Sequence, residues 1–267
     1  MKRIFGFLAG LLIFTAAQAP AAAAQAETIG IVVMHGKAGG PNSRYIDPFA
    51  RALESRGLLV ANLDMPWSGS RSYDVPTSRA EEEIEEAIAG LRAKGAKKVF
   101  VAGHSQGGGF ALHFAGKPRA DGIIAIAPGG NVDGAVYRTK VADVLDKARK
   151  LVAAGKGAEP VQLADYEGSR GVFPVTSPPA SFVTWFDPDG AMNIPRAARA
   201  VDPKVPVLYV LPTRDYPALL KAAPATFGAL PKNPHTRLYE PSADHLKAPS
   251  ASVDEILRWT REVAGVK

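Results

Sequence analysis

Short apolar runs recur along the chain with segments patterned at helical period between them, and that alternation restricts the fold more than any other feature. Ile29–Met34, Leu58–Leu63, Val99–Ala102, Ile123–Ala127, Val205–Leu211 and Thr236–Tyr239 each read as a strand. An uninterrupted β-branched run such as Ile29–Met34 suits a strand buried on both faces. After the first run, Ile46, Phe49, Ala50 and Leu53 share one helical face, and Gly57 ends that helix. Ile84, Ala87, Ile88 and Leu91 form the next stripe, with Ser78 and Glu81 at capping-box spacing before it and Gly95 closing it. A third helix reaches about Ala115, and Val253–Val263 forms the last. Strands and helices in this order specify an α/β fold, a doubly wound, mostly parallel sheet of about six strands.

Composition narrows the class further. Across 267 residues, 46% are hydrophobic and 22% charged, the proportions of an ordinary globular chain, which excludes disordered and fibrous proteins. Cysteine is absent, so disulfides, thiolate metal sites and a cysteine nucleophile are excluded. The net charge of +6 includes Lys2 and Arg3, and no later basic run is interleaved with aromatics, so nucleic acid is not an expected partner.

The first residues read as an address. Lys2 and Arg3 precede an apolar stretch from Phe5 to Ala17, too short to span a bilayer, and small residues follow. Cleavage after Ala26, or after Ala24, would leave a mature chain of about 27–267 with no later membrane span, bound for the periplasm or the exterior of a bacterium. An uncleaved anchor is the alternative. Between the strand ending at Ala127 and the one starting at Val205 the rhythm breaks. Residues 131–204 hold a helix, Val141–Ala154, and then a Pro/Gly-rich stretch with Tyr166, Phe173, Phe182, Trp185, Phe186 and Met192. This insertion reads as a cap over the sheet edge, with most of its aromatics used in packing.

The chemistry concentrates in Gly103-His104-Ser105-Gln106-Gly107, a G-x-S-x-G pattern that follows a buried strand and opens a helix. A serine in such a turn is exposed, and it becomes a nucleophile when a histidine takes its proton and a carboxylate orients that histidine. Of five histidines, His245 alone lies in a loop after a late strand and before a helix, the end of an α/β sheet where reactive loops gather. Asp215 leaves the end of Val205–Leu211, and Asp133 leaves the end of the preceding strand as the alternative acid. Two backbone N–H groups should face the developing oxyanion. One belongs to Gln106 and the other to the turn after the first strand, at Lys37 or its neighbour Ala38. That turn lacks the G-x-x-x-x-G-K-[ST] pattern of a phosphate loop.

Together these motifs resemble the α/β-hydrolase superfamily, and compact bacterial esterases and lipase-like hydrolases most of all. The likeness rests on His35-Gly36 after the first strand, the serine turn, the strand-end Asp215 and the loop His245. It implies a serine hydrolase of the carboxylesterase kind, acting on a small-molecule ester and needing no cofactor or metal. Ser105, Asp215 and His245 would be its catalytic residues, and the Lys37 and Gln106 amides its oxyanion hole. Thioesters, lactones and amides suit the same groups, and a catalytically silent binding protein of this fold is the reading from a different class. The two antiparallel strands that usually open the family's sheet are missing, and Pro212 stands where many relatives carry glycine. Oligomeric state is left open by the sequence.

Overall fold

The β1 strand, Ile29–Met34, is buried at every position, as its apolar run requires of a strand covered on both faces. The computed structural model describes residues 28–266, so the expected signal peptide, residues 1–26, lies outside the described residues. After β1 come α1 (Asp47–Ser55), β2 (Leu59–Leu63), α2 (Thr77–Ala93), β3 (Lys98–His104), α3 (Gln106–Phe114) and β4 (Gly122–Ile126). An insertion follows, with α4 (Ala135–Ala153), β5 (Val161–Glu167), β6 (Gly171–Ser177), α5 (Pro179–Phe186) and α6 (Ile194–Ala200). The chain then returns through β7 (Val207–Val210), α7 (Pro217–Gly228) and β8 (Arg237–Tyr239) to α8 (Ala248–Ala251) and α9 (Val253–Ala264).

Six strands pair in the order β2-β1-β3-β4-β7-β8, and every pairing is parallel. Successive side chains of a strand point to opposite faces, which splits the core into two layers. Val32, Met34, Val101 and Ala125 pack with Ile84 and Leu91 of α2 and Phe110 and Phe114 of α3. Ile31, Val33, Phe100 and Ile124 pack with Phe49 and Leu53 of α1 and Ile256 and Trp259 of α9. Each fully buried Val, Ile, Leu, Met or Phe among them contributes roughly 1.5–3 kcal/mol. From β1 the chain steps outward to the edge strand β2, then crosses back to β3 on the other side of β1. Where the order reverses, the loops leaving β1 and β3 diverge and open a crevice at the strands' carboxyl ends.

Two local expectations are corrected. The capping box at Ser78 and Glu81 does not form: α2 starts at Thr77 with Pro76 as its cap residue, and no side chain caps it. Glu81 instead accepts hydrogen bonds from His113 Nε2 at 2.8 Å and pairs with Arg119 at 2.7 Å, stronger partners than a backbone amide. Burial alone would raise the Glu81 carboxyl, but those two partners outweigh it and hold the pKa at about 2. The amide of Thr77 is met from the insertion, by Thr184 Oγ1 at 3.1 Å. The second correction concerns the insertion: α4 begins at Ala135, six residues before the expected Val141. Within the Pro/Gly-rich stretch, to which no strand was assigned, β5 and β6 form an antiparallel hairpin.

The insertion's aromatics pack as core. The Phe182 and Phe186 rings stack with centroids 3.9 Å apart, while Trp185 meets Trp67 at 5.5 Å and Phe110 at 5.1 Å. Among the described residues no helix is long and apolar enough to cross a membrane.

Candidate active site

Ser105 sits between β3 and α3 with φ 54° and ψ −116°, a backbone state that L side chains rarely adopt. Its surroundings hold it there. The Ser105 amide donates to Ile126 O at 2.9 Å, and the Gly109 and Gly129 amides donate to Ser105 O at 3.0 and 2.9 Å. Glycines make the turn sterically feasible. A Cβ at Gly103 would overlap the Gly107 carbonyl, and one at Gly107 would come within 2.7 Å of His35 O. A Cβ at Gly129 would lie 3.3 Å from Ser105 Oγ and 3.7 Å from Leu219 Cδ1, so this glycine keeps space open beside the hydroxyl.

Asp215 and His245 leave neighbouring parallel strands, β7 and β8, and their loops continue to pair beyond the sheet. The Thr213 amide donates to Pro241 O and the Arg214 amide to Ala243 O, each at 3.0 Å. That pairing brings His245 Nδ1 to 2.7 Å from Asp215 Oδ1, with both residues buried. A carboxylate only accepts, so Nδ1 carries the proton of the neutral ring and Nε2 keeps a free lone pair. Oδ1 of Asp215 also accepts from the Tyr216 amide at 2.7 Å, whereas buried Oδ2 has no partner among the described residues. The His245 ring lies between Tyr216, 4.5 Å away by centroids, and His104, 4.9 Å away. His104 Nε2 donates to the His245 carbonyl at 2.9 Å. Burial, then the nearby His245 ring, push the His104 pKa down to about 3, so its imidazole stays neutral. Among the described hydrogen bonds none joins Ser105 Oγ to His245. Such contacts often tighten only when substrate is bound. Asp133, the alternative acid, instead forms an ion pair with Arg138, and Asp244 accepts from the Lys247 amide at 2.9 Å.

The loop after β1 lies against the serine: a Cβ at Gly36 would come 3.2 Å from Ser105 Cβ. Ala38, in the left-handed region at φ 50°, donates its amide to Trp67 O at 2.9 Å and so cannot serve a substrate. The Lys37 and Gln106 amides donate to no protein acceptor among the described residues.

A match to the alpha/beta hydrolase family covers residues 31–260. The chain belongs to this family. No curated protein sequence matches it. Solved structures with the same fold include Est1E from Butyrivibrio proteoclasticus with bound ferulic acid, at 16% identity, 90% of each chain covered and a TM-score of 0.59. The alpha/beta hydrolase GrgF from Penicillium sp. sh18 aligns at 15% identity over 90% of this chain and 92% of its own, with a TM-score of 0.68. The monoacylglycerol lipase of Paleococcus ferrophilus aligns at 18% identity over 89% and 97%, with a TM-score of 0.61.

Against this family background the sheet is entirely parallel among the described residues. Pro212 is accommodated because its carbonyl accepts from the Asp215 amide at 3.1 Å, closing a turn that needs no N–H at position 212. Sequence reasoning missed several residues that ring the site. Tyr73, Tyr137 and Asp165 are buried together against the Lys37 side chain, from segments far apart in sequence and with no shared motif. Leu219, beside Ser105, lies on a helix that the sequence reading passed over.

Proposed function

We propose that this hydrolase-family protein is an exported serine esterase that cleaves a small carboxylic ester through an acyl-enzyme on Ser105. The observation that carries the reading is the 2.7 Å contact between His245 Nδ1 and Asp215 Oδ1, at the same sheet end as the strained Ser105 turn. Ser105 Oγ attacks the acyl carbon and passes its proton to His245 Nε2. The imidazolium formed is stabilised by Asp215, and His245 returns the proton to the departing alkoxide. The Lys37 and Gln106 amides receive the oxyanion, each donor contributing about 3 kcal/mol to the transition state. Water, deprotonated by the same histidine, then releases the acid. Within this scheme residues 131–204 act as a cap beside the serine, and no cofactor or metal takes part. The esterase and lipase names among the structural neighbours agree with this choice of substrate class.

The test is turnover of a panel of p-nitrophenyl and aryl esters of graded acyl length by mature wild type, Ser105→Ala and His245→Ala. The expected result is ester cleavage by wild type and a loss of about 10⁴-fold or more in both variants. Thioester, lactone or amide cleavage without ester cleavage would replace the substrate class. No cleavage of any acyl compound by folded wild type would leave a silent binding protein of the same fold.

A further inference from the structure

Among the carboxylates of the described residues, the one that accepts from the most donor groups is Asp165, on the insertion hairpin strand β5. It is fully buried. Lys37 Nζ lies 2.7 Å from both of its oxygens. Tyr137 OH donates to Oδ1 at 2.6 Å, Tyr73 OH to Oδ2 at 2.7 Å, and the Tyr166 amide to Oδ1 at 2.6 Å. Four donors from four segments therefore converge on one carboxylate: the loop after β1, the loop after β2, α4 and the hairpin itself. A buried charge satisfied this fully fixes every group around it, because releasing any one leaves an uncompensated partner in a low-dielectric site.

Two of the groups reached by this cluster belong to the residues that supply the oxyanion donors. Lys37 contributes its ammonium to Asp165, while its amide has no protein acceptor among the described residues. Gln106 Oε1 lies 3.4 Å from Tyr73 OH, sharing that hydroxyl's single proton with Asp165. The loop carrying Lys37 is also pinned by the Ala38 amide on Trp67 O and the Gly69 amide on Gly39 O, and the Lys37 ammonium donates to Tyr166 O at 3.1 Å as well. The Lys37 ammonium also lies over the Tyr137 ring, 5.3 Å from its centroid, so the side chain is held by charge and by ring face together. The insertion grips the same region from a second side: Ser177 Oγ and Ser181 Oγ donate to Tyr73 O at 2.9 and 2.6 Å.

We infer that Asp165 is a positioning residue of the insertion, which aims the Lys37 amide at the oxyanion by anchoring the Lys37 side chain. The inference rests on the esterase reading above. It makes the oxyanion hole a joint product of the sheet and the insertion. The hairpin does not merely cover the site; it supplies the anchor that holds one of the two donors in place. Asp165 touches no substrate in this account and acts only through Lys37 and Tyr73. The conservative exchange Asp165→Asn keeps shape but loses the charge that holds the ammonium, so the Lys37 loop gains freedom at the one donor it presents.

The consequence is a defect in transition-state binding. In Asp165→Asn, kcat falls about 10- to 100-fold, approaching the loss of a full oxyanion donor. KM for the same ester stays within about three-fold. Affinity for a trifluoromethyl ketone, whose hemiketal oxyanion occupies the same hole, falls by the same factor as kcat/KM. A purely structural role would lower the melting temperature and the active fraction, yet leave kcat per titrated active site and the ketone affinity unchanged. Active sites are therefore counted first with a fluorophosphonate. Should Asp165→Asn fail to fold, Tyr137→Phe, which removes one donor and keeps the ring, carries the same comparison with a smaller drop in both quantities. Labelled wild type with unchanged kcat and ketone affinity in the folded variant overturns this inference and leaves the esterase reading standing. Wild type that takes no label overturns both.

Discussion

Acidification from pH 6.5 to 5 acts on the fold through His104. Its imidazole is buried and held neutral, with a pKa pushed down to about 3 by burial and then by the adjacent His245 ring, against about 6.5 in an unfolded chain. The sign follows from proton counts. Below pH 6.5 the unfolded chain binds a proton at this residue and the folded protein does not, so stability falls as pH falls. The loss continues until the folded pKa near 3. One unit corresponds to about 1.4 kcal/mol, so the 1.5 units from 6.5 to 5 amount to about 2 kcal/mol from this side chain alone. His104→Gln removes the titration while keeping an N–H donor for the His245 carbonyl, the bond seen at 2.9 Å. His35, whose pKa burial also lowers, contributes with the same sign in both proteins and cancels in the comparison. Urea unfolding of wild type and variant, each as residues 27–267, at pH 6.5, 6, 5.5 and 5 gives the two stability curves. The expected outcome is a wild-type curve steeper by about 2 kcal/mol over the range. Parallel curves would refute the reasoning, since His104 would then protonate in the folded protein as easily as in the unfolded one.

Two further perturbations separate chemistry from folding. Asp215→Asn keeps the side-chain volume but removes the charge that holds His245 Nδ1–H, so kcat for an ester should drop about 10⁴-fold with KM changed only a few-fold. Steady-state kinetics on titrated active sites reads this, and a drop under ten-fold would contradict the assigned acid. Ser105→Gly should raise stability by roughly 1–2 kcal/mol while abolishing turnover, because glycine adopts φ 54°, ψ −116° without the Cβ strain. Thermal melts check it, and an unchanged or lower melting temperature would show that the serine is not strained in the folded chain.

How much was readable in the sequence varied with how locally each feature is encoded. β1, β3 and β4 were legible because burial on both faces leaves unbroken apolar runs, and their alternation with helices pointed to the doubly wound class, though not to the strand order. The serine turn was legible because its glycines answer local clashes that no other residue survives. Asp215 and His245 could be brought together in advance because each follows its own strand at the carboxyl end of the sheet. The hairpin β5–β6 was not legible, and its residues say why. Inward positions of a strand normally read apolar, but here Leu163 alternates with buried Asp165 on β5, and Val175 with buried Ser177 on β6. Pro174 within β6 further disguises the strand. The helix α7 was hidden by Pro224 in its interior. Glu81 was read as a capping residue because sequence shows neighbours along a helix and not His113 and Arg119 across it. For the same reason Lys37 was assigned through its backbone alone. Its side chain ends on a carboxylate 128 positions away, a distance at which no spacing rule operates.

The central claim is that Ser105 is an activated nucleophile served by His245 and Asp215. Its most direct test is the intact mass of the protein, as residues 27–267, after exposure to a fluorophosphonate, with peptide mapping of the adduct, for wild type beside Ser105→Ala. The account predicts one phosphonyl adduct per wild-type molecule, mapped to Ser105, and none on the variant. An unmodified, folded wild type, or an adduct of equal yield on Ser105→Ala, would contradict it.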